Sequence, residues 1–192
     1  MAGKPLAIFG SPRKGGNSET LLRTVLPAFE AAGYSVEEIR PAREDVRPCL
    51  GCLRCEKTGQ CVQRDGMVEI YTKLLDADVI LFTTPVYFYS IPGQAKSFLD
   101  RWQALWALQY RFPDRWKEVS KPGRKGFLLG VGTTSGKQLF KGIWLTLKYG
   151  FDALGVDIAG KLTYRGLENK GDFAADPANA EKALRWAEEK VA

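Results

Sequence analysis

The chain contains no histidine. That absence removes the usual general base near neutral pH, the imidazole metal ligand and every nucleophile pair built on a histidine. Chemistry here needs little proton abstraction by the protein, or borrows its reactivity from a cofactor, which fits electron or hydride transfer better than hydrolysis. Long apolar runs are also missing, since nothing approaches the roughly 18 residues of a membrane span. The opening MAGKPLAIFG lacks the apolar core and cleavage site of a signal peptide. A cytoplasmic location without membrane contact is therefore expected, in a compartment that keeps thiols reduced. Basic runs are absent too. The chain has 28 Lys and Arg against 22 Asp and Glu, a net charge of +6, with the two signs interleaved. Nucleic acid is not an expected partner, whereas a modest positive excess suits phosphorylated cofactors or acidic redox partners.

Cysteine is lacking everywhere except one segment. Cys49, Cys52, Cys55 and Cys61 form C-x2-C-x2-C-x5-C within PCLGCLRCEKTGQC. Steps of three residues let successive sulfurs turn inward around one compact object. Four thiolates hold iron–sulfur clusters, and repeated C-x2-C steps occur in bacterial ferredoxins, although the fourth step there is shorter and followed by proline. Here Val62 follows. A structural zinc site more often uses two separated C-x2-C pairs. A 4Fe–4S cluster, zinc or another metal, and no metal at all (free thiols, disulfides or a relic) are the readings that the spacing allows.

At 192 residues, 45% of them hydrophobic, the chain is expected to form one domain, 1–192, with a Cys-rich loop insertion at about 47–64. Strand and helix patterns alternate along it. PLAIF (5–9) reads as a buried parallel strand. Asn17 or Ser18 then caps a helix carrying Leu21, Leu22, Val25, Leu26 and Phe29, stopped at Gly33; Pro27 within it invites a kink. Tyr34, Val36 and Ile39 suggest a second strand. The Cys segment has neither period and reads as a loop. Further expected elements are a helix over about 65–75, a strand over 79–84, and a helix from near Pro92 with Trp102 and Trp106 on its core face. A strand over 127–131, a helix through Leu139–Phe151, a strand over 156–164 and a last helix from Asp176-Pro177 complete the series. The segment 110–125, with Pro113, Pro122 and Gly123, reads as a surface excursion. Five strands alternating with helices predict an α/β fold: a doubly wound parallel sheet with helices on both faces.

In such a sheet with strand order 2-1-3-4-5, ligands bind beyond the strand ends at the switch between strands 1 and 3. The loop GSPRKGGNSETLL offers the Ser11 and Ser18 hydroxyls, Arg13, the Asn17 amide and backbone N–H groups around Gly15 and Gly16, all ahead of a helix N-terminus. That combination is a phosphate cradle, although it is neither a Walker loop nor the dinucleotide G-x-G-x-x-G. The loop TPVYFYSIPGQ places Tyr87, Phe88 and Tyr89 directly after a buried strand. Exposed rings there are costly, so a flat cofactor or a subunit interface is expected to cover them. GTTSG (132–136) is small and polar enough to approach a planar ring.

GSPRKGGNSETLL, the cysteine loop, PVYFYSIPGQAKSFLDR and GTTSG occur in the order found in iron–sulfur flavoproteins, and the chain resembles that family. These proteins lie within the NADPH-dependent FMN reductase group of flavodoxin-like proteins. The resemblance implies a flavodoxin-like five-stranded parallel sheet of order 2-1-3-4-5. It implies FMN, with its phosphate on Ser11, Arg13, Gly16, Asn17 and Ser18 and its ring against Pro85, Val86, Tyr87 and Phe88, near Thr133 and Ser135. It also implies a 4Fe–4S cluster on Cys49, Cys52, Cys55 and Cys61, and a homodimer or homotetramer. No catalytic side chain is expected, because FMN carries the chemistry. The function implied is electron transfer from a small carrier such as ferredoxin, through the cluster, to FMN and a small-molecule acceptor. An NAD(P)H-dependent FMN, quinone or nitro reductase without a functional cluster is the alternative, and an FMN-bearing redox sensor or carrier a third.

Overall fold

The chain is described over residues 4–191 by a computed structural model. Five strands, β1 (Pro5–Phe9), β2 (Glu37–Ile39), β3 (Val79–Pro85), β4 (Lys125–Val131) and β5 (Asp157–Tyr164), form one sheet. Its order is β2-β1-β3-β4-β5 and every pairing is parallel, which is the expected flavodoxin-like arrangement. Side-chain alternation along each strand divides the core into two layers. Ala7, Phe9, Leu81, Phe127 and Leu129 face α1 (Asn17–Ala31) and, near the C-terminus, the helix Pro177–Val191, which bury Leu21, Leu22, Val25, Phe29, Ala183 and Ala187. Leu6, Ile8, Ile80, Phe82 and Leu128 face the opposite layer, where Ile70, Leu74, Phe98, Trp102, Ile143, Leu147 and Phe151 pack.

Between β2 and β3 lie α2 (Arg54–Thr58) and α3 (Met67–Asp76). The cysteine segment is therefore not wholly loop: one short helix sits inside it, entered through Leu53 in the left-handed region at φ 56°. The helix expected from Pro92 is two helices, α4 (Gly93–Asp100) and α5 (Gln103–Arg111). The break turns Arg101 and Trp102 inward, both 1% exposed, while Trp106 is only half-buried. The segment 110–125 is also more ordered than its prolines imply. Helix α5 reaches Arg111, and α6 (Pro113–Val119) starts with Pro113 in the first helical turn, where a missing N–H costs nothing. Beyond it, the buried Arg124 donates to the carbonyls of Leu74, Ala77 and Leu154, closing the ends of α3 and α7 (Lys141–Ala153). Burial pulls its pKa down to about 10, against the pull of Asp78 and Asp76. The chain finishes with α8 (Asp172–Ala175) and α9 (Pro177–Val191). Helix α1 runs on through Pro27, and β2 is shorter than expected, with Tyr34 and Val36 packing as loop residues. Among the described residues, no helix is long and apolar enough to cross a membrane.

Candidate functional site

The carboxyl ends of β1, β3 and β4 open onto a cavity of about 160 Å³ at the switch between β1 and β3. Backbone bonds continue the sheet past its strands and set the loops side by side. Val86 N–H donates to Val131 O at 2.9 Å, Gly132 N–H to Tyr164 O at 3.0 Å, and Leu167 N–H to Gly132 O at 3.3 Å. Of the residues expected at a flavin, Ser11, Arg13, Gly16, Asn17, Ser18, Pro85, Val86, Tyr87 and Thr133 line this cavity. Phe88 and Ser135 are not among its walls, and both are exposed. The walls also include Gly132, from the expected GTTSG loop, and Val131, Leu167 and Glu168, which no local pattern marked.

Gly15, at φ 64°, donates its N–H to the Glu19 carboxylate at 2.7 Å, and Glu19 pairs with Arg40 at 2.6 Å. Burial works against the Glu19 charge, but Arg40 and the Gly15 amide outweigh it and hold the carboxyl below its ordinary range. The Gly15 amide is thus occupied. The N–H groups of Gly16, Asn17 and Ser18 have no acceptor among the described residues, as expected for the opening turn of a helix, where the dipole is positive. Arg13 is exposed and forms no ion pair among the described residues. Ser18 is 2% exposed and its carbonyl accepts from Thr83 Oγ1 at 3.0 Å, fastening α1 to β3.

The Asn17 side chain, expected at the phosphate, also bonds within the protein. Its Nδ2 donates to Asn169 O at 2.8 Å, and its Oδ1 accepts from Gly171 and Phe173 N–H, each at 3.2 Å. The side chain is a clasp between α1 and the loop that carries Glu168.

The aromatic turn is exposed on the surface of this chain. Tyr87 and Ser90 exchange backbone hydrogen bonds at 2.9 Å, which places Phe88 (φ 49°) and Tyr89 (φ 61°) in the left-handed region. Non-glycine residues pay about 1–2 kcal/mol each there. The Phe88 ring is fully exposed, and Tyr87 and Tyr89 are about half exposed, at 46% and 52%.

The second site is formed by the four cysteines, all of which line one cavity of about 40 Å³. Left-handed turns at Gly51 (φ 62°) and Leu53 (φ 56°) curl the segment, and Gly51 N–H reaches the Cys49 Sγ at 3.5 Å. Gln63 Nε2 donates to Pro48 O at 2.9 Å and closes the base of the excursion. Among the described residues, no three side chains converge tightly enough to hold a single ion; the thiols ring a common space. Burial pushes the Cys55 thiol up, and Cys61 and Cys49 add to this, against opposing backbone hydrogen bonds.

Arg101 forms part of that cavity wall. Its guanidinium grips Asp65 through two bonds of 2.6 and 3.1 Å and donates to Arg47 O at 2.8 Å. Asp65 also accepts from the N–H groups of Arg47 and Met67. Burial raises the Asp65 pKa, but Arg101 and these amides reverse the effect and hold it at about 2. Among the described residues, the Nε of Arg101 is buried without a partner. Four soft thiol donors beside a buried, incompletely satisfied cation suit an anionic thiolate-bound group. No spacing rule singled out Arg101 or Asp65.

The family model for NADPH-dependent FMN reductase matches residues 4–137. An iron–sulfur flavoprotein of Archaeoglobus fulgidus is 37% identical over 98 residues, covering 51% of this chain and 44% of that protein. The iron–sulfur flavoprotein MJ1083 of Methanocaldococcus jannaschii is 38% identical over 102 residues, 53% of each chain. The matched stretch thus spans about half the length of these curated relatives. An NAD(P)H:quinone oxidoreductase from Methanothermobacter marburgensis has a TM-score of 0.70 at 18% identity, covering 99% of this chain and 96% of that one, and shares the fold.

Proposed function

This chain belongs to the NADPH-dependent FMN reductase family, and from that premise we propose an FMN-dependent oxidoreductase that also carries a 4Fe–4S cluster, both within one domain. Cys49, Cys52, Cys55 and Cys61 are the proposed cluster ligands. The single observation that carries the two-cofactor reading is that all four thiols line one cavity, against a buried cation, Arg101. The similarity to iron–sulfur flavoproteins supports it.

For FMN, the free N–H groups of Gly16, Asn17 and Ser18, the Ser11 and Ser18 hydroxyls and the unpaired Arg13 suit a phosphate. Pro85, Val86, Tyr87 and Thr133 offer the wall for the ring, with Phe88 and Ser135 at the mouth. FMN exchanges one or two electrons, and so joins a one-electron carrier to a two-electron acceptor. The donor in this reading is a small ferredoxin-like carrier, the acceptor a small molecule, and the assembly a homodimer or homotetramer.

A second reading, an NAD(P)H-dependent flavin, quinone or nitro reductase, draws on the family's name and on the exposed Tyr87–Tyr89 turn, a surface on which a nicotinamide can stack. Iron and FMN per chain, measured on protein purified without oxygen, separate the two. About four irons, the content of one such cluster, together with bound FMN support the first. FMN without iron, and flavin bleached by NADPH, leave the second. Cys55→Ser is expected to lose the iron while keeping the flavin; full iron in that variant removes Cys55 from the ligand set.

A further inference from the structure

Arg101 is 36 residues from Asp65 in the chain, yet the two form a bidentate ion pair whose side chains are each 1% exposed. Such a pair is costly to bury, and well-packed apolar residues often serve stability as well or better. The cost is higher here because Nε has no partner among the described residues. The pair also has a direction. Arg101 lines the thiol cavity and Asp65 does not, so the cationic partner is the one beside the cysteines, while Asp65 accepts from the Arg47 and Met67 amides. The other cation near Asp65, Arg47, is 3.7 Å away with a side chain 58% exposed, where water and salt screen it.

Resting on the cluster reading above, we infer that the Arg101–Asp65 pair is an oriented countercharge that sets the reduction potential of the group held by the four cysteines. One electron added to that group increases its negative charge. A buried cation at its edge stabilises the reduced form more than the oxidised form and raises the potential. The Asp65 carboxylate, farther from the cavity, partly offsets this. Arg101 is on this account a positioning residue in the electrostatic sense: it binds no iron and touches no substrate.

Charge and scaffolding roles predict different outcomes. Arg101 also holds Arg47 O, at the entry to the cysteine segment, so a purely structural role would make any disruption of the pair act in one direction. A countercharge predicts opposite shifts, because Arg101→Gln removes the cation and Asp65→Asn removes the anion that damps it. The experiment is a stepwise dithionite titration of anaerobically purified, iron-loaded protein. It follows the electron paramagnetic resonance signal of the reduced cluster, which is separate from the flavin absorbance. Arg101→Gln should lower the cluster midpoint and Asp65→Asn should raise it. Anything short of shifts of opposite sign in two iron-loaded variants overturns the inference. If either variant fails to load iron, Arg101→Lys decides. Iron loading at the wild-type midpoint supports a charge role; failure to load, or a shifted midpoint, shows that the guanidinium fork matters for shape and overturns it. An iron-free wild type sinks the cluster reading itself, and the inference falls with it. An iron-loaded wild type with unshifted variants sinks the inference alone.

Discussion

The carbonyl oxygen of Tyr89 occupies the space that a β-carbon on Gly142 would need. The turn that carries the exposed aromatics is thus seated on the first turn of α7, and Gly142 is the residue that admits it. Gly142→Ala should displace the turn and destabilise the protein by about 1–3 kcal/mol, the usual cost of forcing atoms into a packed contact. Gly136→Ala is the control. Its added β-carbon would lie 2.9 Å from the Tyr89 hydroxyl, the far end of a side chain able to swing away. Urea denaturation checks the difference, and equal midpoints for both variants would remove the steric reading.

Asn17 lines the cavity and also ties α1 to the loop that supplies Glu168 to its wall. Replacing it with alanine leaves Gly171 and Phe173 N–H without an acceptor and frees the loop that carries Glu168. Stability should fall by about 1–3 kcal/mol, the cost of stranding the buried Phe173 donor. Asn17→Asp keeps an acceptor and should lose less. An Asn17→Ala midpoint equal to that of wild type would show that the clasp contributes nothing.

Arg13 presents the opposite case. It is exposed and forms no ion pair among the described residues, so Arg13→Ala should leave the fold unchanged. FMN should bind less tightly by about 1.5–3 kcal/mol, the worth of a hydrogen bond to a charged group. Flavin fluorescence titration of stripped protein measures this, and unchanged affinity would remove Arg13 from the phosphate site.

Asp65 supplies the pH dependence. Its carboxyl is held at about 2 in place of the ordinary 3.8, so the folded protein binds that proton more weakly than the unfolded chain. The stabilisation is complete above about pH 4 and is lost as pH falls through about 2. At about 1.4 kcal/mol per pKa unit it amounts to some 2 kcal/mol. Glu19, also held low, loses its contribution in the same direction. Denaturant titrations between pH 5 and 2 should show Asp65→Asn to be less stable than wild type at pH 5, with a shallower loss on acidification. Parallel curves would contradict this.

Much of the frame was readable from local chemistry. Leu6/Ile8 against Ala7/Phe9 is an alternation that any strand between two helical layers must show, and Gly10, Pro85 and Gly132 mark where β1, β3 and β4 end. Helix α9 starts where Asp176-Pro177 indicates, with the Asp176 carboxylate accepting from Ala178 N–H at 3.0 Å. The readings that failed did so where tertiary packing overrode a local signal. Trp102 and Trp106 share a helical face in sequence, but the chain breaks at Arg101 so that the guanidinium can reach Asp65. Pro113 resembles a loop marker and instead opens α6.

The sequence by itself determined the alternation of strands and helices, the spacing of the thiols, and the glycine-rich loop ahead of α1. These depend on residues within a few positions of one another, where period and backbone freedom act. Only the tertiary structure decided that Asn17 serves Phe173, 156 residues away, and that Arg101 lines the cysteine cavity. It also decided that Phe88 stands outside the cavity that Val86 and Tyr87 line. Those outcomes depend on how helices settle on the sheet, and the free energy of long-range packing is not carried by any short stretch of chain.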